Sequence, residues 1–325
     1  MEEDFKVTWT SIQGKSHKKM DPQIPCQDAF KYDKIKIGGL KRLLSLKKPL
    51  IFDVSVVSDG AGSSTFSHLA SSFCVNRLLE LCKSRSIAIE KLIAFDFKNE
   101  EEKKLILEGW NKLSLELFNQ TRADLLLFGE ESGHEPKDLY CTLILVIKTP
   151  FGFLSANIGD GRAGYSNGTE TRPLIVPFMT FTAGATFFII KDGWDKIFRS
   201  YVIFEDKVDY YFVSSDGCQE FIIDHSYKEP QPTNSLIISN IRPKTGVYDD
   251  ILGDEAFYDL NKPFKPFFEG LIKSLNEVNT AEEANARLTN LIENGIYLIN
   301  NVETELKSIS DPTLDDDKTM IIHYK

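Results

Sequence analysis

The chain is short of the residues that build thiolate and imidazole sites. Its 325 residues include five cysteines and five histidines, and no two cysteines stand at C-x-x-C spacing. The odd, scattered set of Cys26, Cys74, Cys82, Cys141 and Cys218 excludes a disulfide framework and a zinc site, and reads as reduced core thiols. Neither a C-x₅-R nor a Ser-His-Asp arrangement is present, so covalent catalysis through such a nucleophile has no motif to rest on. Long apolar runs are missing as well. The longest, such as "LILVI", fall far short of a bilayer, and the acidic start "MEEDFK" has no signal-peptide core. An excess of basic residues is also lacking: the formal net charge is −10, which argues against general attraction to nucleic acid or to an anionic membrane. The expectation is a soluble cytoplasmic protein with no nucleic-acid or membrane partner.

What the chain does contain is a recurring event. Apolar runs end on an Asp-Gly pair in "VSVVSDGAGSS" at Asp59-Gly60, in "GFLSANIGDGRAGY" at Asp160-Gly161 and in "DYYFVSSDGCQEF" at Asp216-Gly217. The reverse arrangement, "LDDDKTMIIHYK", sets Asp315, Asp316 and Asp317 before a final apolar run. Asp-Gly after alternating apolar residues is an ordinary turn signal. Four such positions could instead converge at one end of a sheet. Like-charge repulsion there raises each pKa unless cations bind between the carboxylates. An all-oxygen ligand set without a His or Cys cluster suits Mg²⁺ or Mn²⁺ rather than zinc.

Strand-like segments fall at about 6–13, 28–33, 50–58, 140–148, 152–159, 162–166, 209–215 and 318–324. In "CTLILVIKTPFGFLSANIGDGRAGYSNGT" turn signals separate three strands, which predicts an antiparallel meander. "TLILVI" is apolar at consecutive positions, so both faces of that strand need cover. Helical periodicity supplies it over about 64–83, after a Ser-Ser-Thr stretch suited to capping, and over about 100–124. Two further helices are marked by Phe264 to Leu275 and by Ala284 to Ile292. The expected fold class is α+β, a four-layer α-β-β-α sandwich of two antiparallel sheets flanked by helices. A single domain is expected to span residues 1–325, with excursions from the core at about 34–49 and 166–208. Six basic residues between Lys34 and Lys48 read either as a solvated hairpin or as a docking patch.

"CQDAF", "VVSDGAGS", "NIGDGRAGY", "FVSSDGCQEF" and "DDDKTMII", in that order, resemble the motif series of the metal-dependent PPM, or type 2C, serine/threonine protein phosphatases, especially their compact bacterial-type branch. The resemblance spans about residues 10–324. It implies hydrolysis of phosphoserine and phosphothreonine by a metal-bridging hydroxide, two Mn²⁺ or Mg²⁺ ions with room for a third, and a phosphorylated protein substrate made by a cognate Ser/Thr kinase. Asp59 matches the carboxylate that bridges the two metals, and the Gly60 carbonyl joins it. Asp216 and Asp316 match ligands of the second metal, with Asp317 as the neighbour that orients the site. Asp160 belongs to a weaker third-metal site that Glu220 could share.

Three departures from the family pattern bear on catalysis. Gln27 stands where the family has Glu, beside a retained Asp28. Gln23 stands where a phosphate-gripping Arg is usual, which leaves His17, Lys18 and Lys19 as local candidates for substrate binding. Ala61 stands where the second motif often has His, so the general acid falls to His17 or to a metal-bound water. The rival from another class is an inactive pseudophosphatase that serves as a regulatory binding module. A metal-dependent nuclease is the weaker rival, because aromatics are not interleaved with the basic residues.

Overall fold

The computed structural model describes residues 5–20, 25–37, 50–94, 97–180, 186–224, 236–239, 256–258, 262–294, 296–299, 302–305 and 316–325. In chain order the strands are β1 (Lys6–Ile12), β2 (Ala29–Ile37), β3 (Leu50–Ser58), β4 (Leu143–Thr149), β5 (Gly152–Ile158), β6 (Arg162–Ser166), β7 (Thr171–Pro173), β8 (Phe178–Thr180), β9 (Arg199–Phe204), β10 (Tyr210–Ser214), β11 (Leu236–Ser239), β12 (Ala256–Tyr258), β13 (Ile296–Ile299), β14 (Val302–Glu305) and β15 (Lys318–Tyr324). The helices that matter here are α1 (Lys15–Met20), α2 (Ser67–Ser84), α3 (Ser86–Ile93), α4 (Glu100–Ser132), α5 (Lys265–Asn276) and α6 (Ala281–Asn294).

Two antiparallel sheets form the centre, one of order β1-β15-β10-β6-β7 and one of order β11-β9-β5-β4-β3-β2. The period-2 alternation of each strand sorts its side chains between two cores. Along β4, Leu143, Leu145 and Ile147 point to the core shared with α2, α3 and α4, whereas Ile144 and Val146 point between the sheets. The second sheet behaves in the same way. Tyr210 and Phe212 of β10 join Phe267, Phe268, Leu288 and Leu291 of α5 and α6, while Tyr211 and Val213 face the other sheet. Three cores between four layers make the expected α-β-β-α sandwich. Among the described residues no helix is long and apolar enough to cross a membrane. All five cysteines are free, and four of them are buried.

Four expectations are corrected. The meander holds for β4 and β5, but the third strand, β6, leaves that sheet and pairs with β10 in the other. Gly159, at φ 106°, turns the chain there in a conformation that favours glycine. Helix α2 has Phe66 as its N-cap with no side-chain cap; the Ser64 hydroxyl is taken by the Lys137 carbonyl at 2.7 Å. Helix α4 continues eight residues beyond the expected end, with Leu125 and Gly129 still on its buried face, and stops at Gly133 in the left-handed conformation. The two expected excursions are shorter than the sequence suggests. Residues 34–37 extend β2, and 199–204 form β9 beside β5. Residues 38–49, which hold most of the basic segment, and Asp315 lie outside the described residues.

Candidate active site

The antiparallel order carries the Asp-Gly turns to one end of the sandwich. Strands β3 and β5 run the same way on either side of β4, so Asp59 and Asp160 emerge together. The end of β10 meets the start of β15, which brings Asp216 beside Asp316 and Asp317. Asp28 joins them, because Ala29 opposes Ser58 in the β2–β3 ladder.

Oxygens of Asp59, Asp160 and Asp216 all lie within 4.8 Å of one another. Burial, then the negative charges of Asp28, Asp216, Asp316 and Asp160, hold the Asp59 pKa well above the usual carboxylate range. Asp28 is pushed up to about 8, chiefly by burial, against a 2.6 Å hydrogen bond donated by the Ser215 hydroxyl that favours its ionised form. Burial and Asp216 push Asp160 up to about 7, with Arg162 opposing. Burial and the same Asp216 charge push Asp316 up to about 6. Asp28 Oδ1, Asp160 Oδ1, Asp216 Oδ1 and Gln27 Oε1 are buried without a hydrogen-bond partner among the described residues. Converging carboxylates that repel one another and keep oxygens unsatisfied are a donor set for hard divalent cations. The residues present fit such ions.

Glycine lets the backbone close in on this cluster. A Cβ on Gly60 would stand 2.7 Å from the Gln27 carbonyl oxygen and 2.9 Å from Ser67, and one on Gly217 would stand 1.9 Å from the Asp317 carbonyl oxygen. Thr142 fixes the Asp59 backbone from the next strand, its hydroxyl accepting from Asp59 N at 3.0 Å and its amide donating to Asp59 O at 2.8 Å.

Asp317 is the hub of the surrounding scaffold. Only 2% exposed, it accepts from Gly14 N and Gln27 N, each at 2.6 Å, and from His17 Nδ1 at 3.1 Å. One carboxylate thereby ties α1 and the first motif to β15. Gln27 turns its amide to the Ser67 hydroxyl at 2.8 Å.

The other expected site residues are placed less centrally. Glu220 stands on the helical turn Gln219–Ile222 after Asp216, and is not one of the three carboxylates whose oxygens meet. Lys18 pairs with Glu293 of α6 at 3.3 Å, and Lys19 is exposed. One support escapes a reading of the sequence. Ser215 holds Asp28. The doubled serine before Asp216 is a faint signal for it.

Each raised carboxylate binds its proton more tightly in the folded chain than in the unfolded one. Its stabilising contribution is therefore complete below the unfolded value of 3.8 and is lost as pH rises through about 6 for Asp316, 7 for Asp160 and 8 for Asp28. The cation-free protein is expected to melt at progressively lower temperature across that interval. The rise in melting temperature on adding Mn²⁺ should grow over the same interval, because the cation takes the place of protons. Scanning fluorimetry with and without Mn²⁺ checks this; a Mn²⁺ shift that does not change with pH would contradict it.

Comparison with known proteins agrees with this fold. A family model described as protein phosphatase 2C matches residues 13–293. Serine/threonine phosphatase Stp1 from Staphylococcus aureus is similar in fold, with a TM-score of 0.50 at 12% identity, over 99% of this chain and 96% of that one. Serine-threonine phosphatase 2C from Toxoplasma gondii is similar with a TM-score of 0.50 at 10% identity, over 99% and 95% of the two chains. No curated protein matches the sequence significantly.

Proposed function

Because the chain belongs to the protein phosphatase 2C family of serine/threonine phosphatases, we propose that it is an active, cation-dependent member that hydrolyses phosphoserine and phosphothreonine esters in proteins. The observation that carries this reading is the meeting of Asp59, Asp160 and Asp216 within 4.8 Å. A binding module has no need to maintain three mutually repelling carboxylates, which destabilise the fold wherever cations are absent.

Asp59, the Gly60 carbonyl, Asp216 and Asp316 would hold two Mn²⁺ or Mg²⁺ ions, and Asp160, with Glu220 nearby, a third. Such ions supply positive charge opposite the phosphoryl oxygens and acidify water toward a nucleophile. The chain's own contribution is orientation. Asp317 fixes the first motif, Ser215 fixes Asp28, and Thr142 fixes the Asp59 backbone. Gln27 lowers the negative charge of the cluster relative to relatives with Glu, so Asp59 carries more of the cation binding. The substrate is a phosphorylated protein, the product of a cognate Ser/Thr kinase. A cytoplasmic location suits five thiols that form no disulfide.

Peptides carrying phosphoserine, phosphothreonine or phosphotyrosine, incubated with Mn²⁺ or Mg²⁺ and assayed for released phosphate, test this. The expected result is release from the first two and little from the third. Wild-type protein that binds Mn²⁺ yet releases no phosphate would instead support the pseudophosphatase reading, which Gln27 and Ala61 favour.

A further inference from the structure

Hydrolysis of a serine or threonine phosphate expels an alkoxide, a poor leaving group unless a proton reaches it as the bond breaks. Ala61, beside Asp59 and Gly60, carries no proton to give. The structure brings another side chain to the same turn from a distant part of the sequence. His17 of α1 is 17% exposed and held by Asp317, whose Oδ1 accepts from its Nδ1 at 3.1 Å. That hydrogen bond orients the ring and leaves Nε2 toward the Gly62 turn. A Cβ built on Gly62 would lie 3.8 Å from His17 Nε2 and 3.8 Å from Gln27 Oε1. Gly62 is itself exposed, so a substrate has access to this spot. Gln27 is 5% exposed, and its Oε1 is buried without a partner among the described residues. Both polar atoms, His17 Nε2 and Gln27 Oε1, therefore face the same glycine. Lys18, the neighbouring cation, is engaged by Glu293.

We infer that His17 is the proton donor to the departing serine or threonine oxygen, with Asp317 as its positioning residue and the exposed Gly62 turn as the place where that oxygen approaches. In the step, a water oxygen forms a bond to phosphorus while the bond from phosphorus to the substrate oxygen breaks. The bonding electron pair stays on the departing oxygen, which takes the proton from His17 Nε2 and leaves as a neutral hydroxyl. The imidazole is reprotonated from solvent by the equivalent of the proton that the attacking water has lost. No group changes oxidation state. The Asp317 carboxylate keeps its charge throughout and stabilises the imidazolium, as a carboxylate behind a catalytic histidine does.

This assignment rests on the phosphatase reading, and the experiment separates the two. Wild type, His17→Gln and His17→Ala are assayed with Mn²⁺ on a phosphoserine peptide and on 4-nitrophenyl phosphate, whose phenolate departs without needing a proton. Glutamine can still donate to Asp317 but cannot act as an acid, so it preserves the tie while removing the chemistry. A Mn²⁺-induced thermal shift confirms that each variant is folded and binds the cation. The expected result is that both variants lose about 100-fold in the ratio of phosphoserine to 4-nitrophenyl phosphate turnover, the usual scale of general-acid catalysis. An equal loss on both substrates would show that His17 only holds Asp317 in place and would overturn the assignment. Unchanged turnover on both would overturn it as well. Wild type inert toward both substrates is a separate result, which removes the phosphatase reading and this assignment with it.

Discussion

Replacing Asp59 by Asn is expected to give a protein that melts at a higher temperature than wild type when both are stripped of cations, and that has lost its turnover. The two effects have one cause. Asp59 is held well above the usual carboxylate range by burial and by the charges of Asp28, Asp216, Asp316 and Asp160, so at neutral pH its ionisation works against the folded state. Asparagine has nearly the same shape and no charge, which removes that repulsion. It also removes the carboxylate through which the site would hold its cations, and Gln27, whose unpartnered Oε1 is a neutral oxygen, cannot replace the lost charge. Turnover should fall by more than about 100-fold, because loss of even an outer partner of a metal ligand typically costs 10–100-fold. Melting curves in EDTA and initial rates in Mn²⁺ check the two halves. A variant destabilised in EDTA would show that the Asp59 charge supports the fold rather than opposing it.

Asp317→Asn is expected to do the reverse and damage the fold itself. The wild-type carboxylate receives three N–H groups, from Gly14, Gln27 and His17. Asparagine can present only one oxygen, so at least one backbone N–H meets an NH₂ group instead. A buried donor left without an acceptor costs about 1–3 kcal/mol, and a hydrogen bond to a charged group is worth about 1.5–3 kcal/mol. The expected destabilisation is therefore about 2–4 kcal/mol by urea unfolding. Turnover should fall as well, because α1 and the first motif lose their common anchor. A change below about 0.5 kcal/mol, the range of ordinary surface substitutions, would contradict the role given to Asp317. Asp59 and Asp317 carry the same side chain, yet removing their charge moves stability in opposite directions. One carboxylate faces other carboxylates, and the other faces N–H donors.

The strand ends of this fold are legible in the sequence because two signals coincide there. Alternating apolar residues mark β3, β5, β10 and β15, and an Asp-Gly or Asp-Asp pair marks where each meets the site. The sheet to which a strand belongs is less legible. Turn residues at Asp160-Gly161 indicate that the chain reverses; they do not say whether β6 returns beside β5 or crosses to β10, which packing between the sheets decides. The scaffold around the carboxylates is the least legible part. Asp317 bonds to Gly14, His17 and Gln27 across separations of 303, 300 and 290 residues, and no local pattern records a contact between the two ends of the chain. The approach of His17 to Gly62 spans a shorter separation and is likewise recorded by no local pattern. That approach follows from β1 pairing with β15, which sets α1 over the start of the last strand.

The central claim is that the carboxylate cluster binds divalent cations in order to hydrolyse phosphoserine esters. Its most direct test is the initial rate of phosphate release from a phosphoserine peptide by EDTA-stripped wild type, measured as Mn²⁺ is titrated in. The account predicts no release without the cation and a saturable rise as it is added, abolished again by excess EDTA. Undiminished release in excess EDTA, or no release at any Mn²⁺ concentration, would contradict it.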